Sequence, residues 1–161
     1  MELSWFVAHT RPRCEKKLAQ YCLREGLAAT LPCYRSVRKY RGKVVVFQKP
    51  LFPGYVFLQL LPPQRSKVYS SDYVANLLVV VDQELFIRQL GDILKALETN
   101  MEVRLAPQIK AGCRVIIKSG PLRSLEGWVQ ERSGTVQVLL RLDFIGQAAA
   151  VRVDANDLEL A

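Results

Sequence analysis

Two side chains near the N-terminus are of the types used in nucleophilic catalysis, the imidazole of His9 and the thiol of Cys14. Such a pair needs hydrogen-bond reach and a third group that orients the base. His9 is the single histidine of the chain, and no third member stands out near it. The same scarcity weighs against a metal. The four cysteines, Cys14, Cys22, Cys33 and Cys113, include no C-x-x-C pair. A structural zinc site takes four Cys/His ligands at close paired spacings. The thiols therefore read as buried and reduced. No catalytic site, metal or cofactor is expected, and the chemistry left to the chain is that of binding.

Two stretches carry a binding signal. The first is basic. The net charge is +8, with 15 Lys/Arg against 8 Asp/Glu in residues 1–100 and 8 against 7 in residues 101–161. No acidic residue occurs between Glu25 and Asp72, a gap that holds Arg35, Arg38, Lys39, Arg41, Lys43, Lys49, Arg65 and Lys67. Cations clustered in this way favour phosphate backbones through counterion release. The second stretch is Leu51-Phe-Pro-Gly-Tyr-Val-Phe-Leu-Gln-Leu60. Alternate side chains of a strand point to opposite faces. Val56, Leu58 and Leu60 therefore share one face, and Tyr55 and Phe57 the other. Trp5-Phe6-Val7 is two-sided in the same way. Helices can cover one face of a small sheet. The face with the rings is either sealed by the chain itself or left as a groove for a partner, for which aromatic side chains are common anchors.

These residues need elements to hold them. Trp5–His9 reads as a strand, broken at Pro12. Cys14, Leu18, Tyr21 and Cys22 fall on one helical face, so a helix runs from about Cys14 to Glu25 and stops at Gly26. Ala28–Tyr34 and Val44–Phe47 are strand candidates, with the basic Arg38–Lys43 between them as a hairpin tip. Pro53-Gly54 marks a turn before the strand Tyr55–Leu60. Pro62-Pro63 opens a short helix, and Leu77–Val81 is a further strand. Phe86, Leu90, Ile93, Leu94 and Leu97 form the clearest helical face. From Thr99 to Lys110 no period is sustained. Short alternating runs at 115–117, 136–142 and 151–153 follow, punctuated by Gly112, Gly120, Gly127, Gly134 and Gly146, a pattern of small β-barrels. No apolar run approaches the ~20 residues of a membrane span. No basic stretch with a long apolar core opens the chain, so no signal peptide is expected. A cytoplasmic monomer without membrane contact fits these features.

The Phe52–Phe57 segment FPGYVF, after the Trp5-Phe6-Val7 strand and its helix, resembles the N-terminal domain of the NusG/RfaH family of transcription factors. Gly112-x-x-Val115-x-Ile117-x-x-Gly120-Pro121-Leu122-x-x-Leu125-x-Gly127-x-Val129, followed by Phe144-Ile145-Gly146, resembles that family's C-terminal KOW domain. The two patterns occur in the family's order and cover nearly the whole chain. The resemblance implies an α+β architecture: a four-stranded antiparallel sheet flanked by helices over residues 1–99, a linker at 100–108, and a five-stranded SH3-like KOW barrel over 109–161.

The resemblance also implies a mode of action. The N-terminal domain of the family grips the clamp helices of the largest RNA polymerase subunit in an apolar groove, and Phe52, Tyr55, Phe57 and Trp5 match that site. It then holds the polymerase clamp closed against pausing, and no bond is made or broken. Non-template DNA runs beside it. Arg11 and Lys17 match basic positions there, and Arg13, Lys16, Arg38, Lys39, Arg41 and Lys43 add charge nearby. The KOW domain recruits a small-subunit ribosomal protein or the termination factor Rho, and Phe144 and Ile145 lie at that loop. The Arg11–Lys17 start is closer to specialised paralogues than to general members. In those, a carboxylate latches the KOW domain as a helical hairpin. Lys49 stands at its place here, and the C-terminal glycines each oppose helix by ~1 kcal/mol, so strands are expected. A ribosomal or RNA-binding KOW protein is the alternative, disfavoured by the near-neutral C-terminal part.

Overall fold

A computed structural model describes residues 2–99, 101–107, 114–132 and 135–160. Cys113, Gly112 and Gly134 lie outside the described residues. The chain divides into two compact units, Met1–Gln83 and Glu84–Ala161.

The first unit opens with β1 (Ser4–Thr10) and α1 (Glu15–Arg24). Leu18 and Cys22 form the buried stripe of α1. The helix ends as the sequence suggests: the amide of Leu27 donates to the Cys22 carbonyl at 2.8 Å and that of Gly26 to Leu23 at 3.3 Å, a Schellman closure. The expected strand Ala28–Tyr34 is in fact two, β2 (Ala28–Thr30) and β3 (Cys33–Tyr40). Pro32, which has no amide to donate, separates them, and they join different sheets. β4 (Lys43–Pro50) returns along β3. β5 (Tyr55–Leu60), a short helical stretch including α2 (Arg65–Tyr69), and β6 (Val74–Val79) complete the unit. β6 starts three residues before the expected Leu77 because Val74 pairs with Thr10 past an irregularity at His9/Thr10.

The main sheet is four-stranded and antiparallel, in the order β2-β5-β1-β6. Its first face carries Phe6, Ala8, Val56, Leu58 and Leu60. They pack with Leu18 and Cys22 of α1 and Val68 of α2. Each such aliphatic or aromatic side chain contributes about 1.5–3 kcal/mol on burial, so this layer anchors the unit.

α3 (Gln83–Leu97) starts at the last residue of the first unit, and the rest of it opens the second; it buries Phe86, Leu90, Ile93 and Ala96. The second unit's sheet has six antiparallel strands among the described residues, one more than expected. The extra strand is β7 (Val103–Pro107), inside the segment expected to be a linker. Charged Glu102 and Arg104 hide its alternation, but β7 pairs with β11 and buries Val103 and Ala106. The others are β8 (Arg114–Ile117), β9 (Glu126–Arg132), β10 (Thr135–Leu142), β11 (Gln147–Arg152) and β12 (Leu158–Leu160), in the order β12-β8-β9-β10-β11-β7. Val115, Ile117, Val138, Leu140, Leu142 and Val151 are buried. The described C-terminal residues are thus built mainly of strands, as the glycines imply. At Gly127 a Cβ would stand 2.5 Å from Val138 Cγ1 and 2.6 Å from the Leu139 carbonyl oxygen. That is too close for any side chain, so β9 and β10 meet there only because residue 127 has none.

Candidate functional site

The second face of the four-stranded sheet follows from the register. Trp5 lies across from Gln59, Val7 from Phe57 and His9 from Tyr55. On the far side of β1, Val7 faces Leu78 and His9 faces Asn76. One surface therefore holds Trp5, Val7, His9, Tyr55, Phe57 and Leu78.

The turn into β5 sets the rings. The Tyr55 amide donates to the Phe52 carbonyl at 3.2 Å, with Pro53 and Gly54 between them. Gly54 has φ +88°, so the turn is type II, with Pro where φ is fixed and Gly where φ must be positive. The Gly54 carbonyl accepts from the Thr10 amide at 2.8 Å, tying the turn to the end of β1.

The face is layered rather than uniformly open. Phe52 and Phe57 are 1% and 0% exposed and meet edge to face with centroids 6.2 Å apart. Val7 beside them is also fully buried. Of the pair Tyr55 and Phe57, expected to share a face left open for a partner, Phe57 is instead sealed by the chain, as is Phe52, which the resemblance matched to the same site. Phe57 sits on the inner strand β5, flanked by Val7 and Thr30 in register. A central position of that kind is filled as core. Tyr55 and Trp5, nearer the sheet's ends, are half-buried. Tyr55 stacks on exposed His9, with ring centroids 5.3 Å apart and 22° between planes. Leu78 adds exposed apolar surface at 41%. Trp5 is held by its backbone: its amide donates to Gln83 Oε1 at 2.7 Å, and its carbonyl accepts from Gln83 Nε2 at 3.0 Å.

His9, considered from sequence only for catalysis, belongs to this rim. The alternation that places Trp5 and Val7 on one face places His9 there too. Cys14 points elsewhere, its thiol donating to the Pro12 carbonyl at 3.4 Å. Burial pushes the Cys22 thiol up to about 11 and raises that of Cys33, where Lys16 partly offsets the rise.

The basic residues gather in the same unit. Arg11, Arg13, Lys16 and Lys17 are exposed around the start of α1. Arg38, Lys39, Arg41 and Lys43 are exposed on β3, β4 and their connection. The two groups are linked, since Lys16 Nζ donates to the Gln48 carbonyl of β4 at 2.5 Å. The segment Arg38–Lys43, expected to be the hairpin tip, is mostly strand. Pairing runs out to Tyr40 and Lys43, leaving only Arg41 and Gly42 as the turn. Their φ values, +47° and +78°, fit a two-residue type I′ hairpin turn, whose twist matches that of the strands.

In the second unit, Phe144 and Ile145 lie in a 3-10 turn over Asp143–Ile145 and are half-buried. Phe144 meets Phe86 of α3 edge to face at 6.4 Å. Gln89 of α3 brackets the turn: its Nε2 donates to Asp143 Oδ2 at 3.0 Å, and its Oε1 accepts from the Asp143 amide at 2.9 Å. A small recess beside Trp128 is lined by Arg88, Asp92, Arg114, Glu126 and Arg141. Two of its arginines are paired, Arg141 with Asp143 at 3.0 Å and Arg114 with Glu126. Arg141 also stacks over Trp128 at 4.6 Å.

The sequence of the first unit and of α3 is also matched by a family of known proteins. Residues 3–100 match the family model described as transcription termination factor nusG. The transcription termination/antitermination protein NusG of Borreliella burgdorferi is 23% identical over 187 residues, covering 99% of this chain and 99% of its own. That of Staphylococcus aureus is 24% identical over 179 residues, covering 96% and 94%. A family model spanning well over half the chain joins the sheet, its FPGY turn and its paired aromatic strands into one assignment: the chain belongs to the NusG family.

Proposed function

We propose that this protein is a transcription termination/antitermination factor that acts by binding RNA polymerase through the second face of its four-stranded sheet. Tyr55 and Trp5 are the contacting aromatics, while Phe52 and Phe57, packed on each other, are core of the same unit. The clamp helices of the largest polymerase subunit are the partner. The observation that supports this most is the half-buried Tyr55, stacked on exposed His9 on the same sheet face as the buried Phe57. Rigid amphipathic rings lose little entropy when a partner covers them. By binding one clamp conformation preferentially, the factor shifts the polymerase toward it and suppresses pausing.

The basic surface of α1 and the β3–β4 hairpin then lies along nucleic acid, with non-template DNA as its target. The six-stranded C-terminal sheet serves as an SH3-like KOW module. Its Phe144–Ile145 turn recruits a second partner, a small-subunit ribosomal protein or Rho. Binding of the full chain to core polymerase, compared with filter binding to ribosomal RNA, tests the proposal. Tight binding to polymerase that Tyr55→Ala weakens is the expected result. Binding to ribosomal RNA alone would favour the RNA-binding alternative.

A further inference from the structure

The β3–β4 hairpin forms a two-stranded sheet of its own, hydrogen-bonded to no third strand among the described residues. A lone hairpin is marginal in water and cannot bury both of its faces. This one nonetheless displays large apolar groups: Tyr40 is 52% and Phe47 40% exposed. Register explains what they have around them. Tyr40 pairs with Lys43, Arg38 with Val45, and Ser36 with Phe47. By strand alternation, Tyr40, Arg38, Lys43 and Phe47 therefore project from the same face. The two rings approach each other edge to face, with centroids 6.5 Å apart.

Exposed aromatics interleaved with cations have a specific complement. The cations demand a polyanion, and the run from Glu25 to Asp72 contains no acid that could neutralise them. The rings demand flat apolar partners. A duplex offers phosphates but hides the faces of its bases in the stack. A single strand offers both, because every base has a free π face. We infer that this face of the hairpin is a stacking platform for single-stranded nucleic acid. Bases lie on Tyr40 and Phe47 while phosphates meet Arg38 and Lys43. This rests on the proposal that the basic surface faces nucleic acid and specifies what form of it the hairpin takes. The type I′ turn at Arg41-Gly42 keeps the strands in the register that puts these four side chains together.

The test uses the full chain and fluorescein-labelled oligothymidine, oligouridine and a duplex, each of about 15 units. Anisotropy is followed from about 50 to about 200 mM salt. Phe47→Leu and Tyr40→Leu keep apolar bulk in the hairpin but remove the π face. Each is expected to weaken single-strand binding about tenfold, with duplex binding and the salt slope unchanged. Phe47→Tyr is expected to bind as the wild type does, which separates a lost stack from a lost hairpin. Arg38→Gln is expected to weaken all three probes and to lower the single-strand salt slope by about 0.7. A preference between oligothymidine and oligouridine identifies which strand chemistry is used. If the leucine variants bind single strands as the wild type does while Arg38→Gln weakens them, the basic surface stands and the stacking platform falls. If no probe binds, both fall. If only polymerase affinity responds to the leucine variants, the hairpin is a protein-docking element and the inference is wrong.

Discussion

Tyr55 and Phe57 are two residues apart on β5, share one sheet face, and should nevertheless fail in opposite ways when truncated. Phe57 is 0% exposed and packs edge to face on Phe52. Removing a buried phenylalanine ring costs roughly 3–5 kcal/mol, through lost transfer energy and the cavity left behind. In a domain of this size each kcal/mol lowers the midpoint by roughly 4–8 °C. Phe57→Ala should therefore melt at least about 12 °C below the wild type by circular dichroism, and lose polymerase binding only because it unfolds. Tyr55 is half-buried and stacked on exposed His9. Its truncation should cost stability only about 1 kcal/mol, near the centre of measured point-mutant effects. As an interface anchor it should cost at least about 2 kcal/mol of binding, or a Kd roughly 30-fold weaker. Melting curves with polymerase titrations on the same preparations separate the two outcomes. A Phe57→Ala protein that keeps the wild-type midpoint and loses binding would show that its ring is a contact and not core. Equal unfolding of both variants would make Tyr55 a core residue and remove the proposed contact.

Other consequences lie elsewhere in the chain. Gly127→Ala sets a methyl 2.6 Å from the Leu139 carbonyl oxygen. Overpacking of this kind costs roughly 1–3 kcal/mol, so a lowered melting temperature is expected, and an unchanged one would show that β9 and β10 can part without loss. Cys22, buried and with its thiol pushed up to about 11, should resist alkylation near pH 8 in the folded protein while Cys14 reacts. Peptide mapping by mass spectrometry reads both, and rapid native labelling at Cys22 would contradict its burial. Gln89→Leu removes two hydrogen bonds to Asp143. It is expected to cost about 1–3 kcal/mol, and urea unfolding that matches the wild type would show the pair to be energetically idle.

Much of the fold was legible because periodicity reports burial directly. The stripe Leu18/Cys22 and the face Val56/Leu58/Leu60 appear where alternation and helical spacing put them. The FPGY turn was legible because only one residue order suits Pro at a fixed φ followed by a positive one. Three things were not. β7 was hidden because an outer strand of five residues can carry Arg104 within it and Glu102 just before it and still pair. The length of the hairpin was hidden because charged residues predict exposure, and exposure does not distinguish a loop from a projecting strand. The burial of Phe52 and Phe57 was hidden because alternation gives the face of a ring but not what lies over it. His9 was legible in principle, since it shares the parity of Trp5 and Val7, but its chemistry drew it toward catalysis instead.

The proposed docking of polymerase on the rim around Tyr55 can be read out in place. A photo-cross-linking amino acid placed at Tyr55 in the full chain, irradiated with core polymerase and mapped by mass spectrometry, tests it most directly. Cross-links to a pair of helices in the largest subunit, lost on competition with the unmodified protein, are the expected result. Cross-links that fall on another subunit, or none from Tyr55 while polymerase still co-purifies, would contradict it.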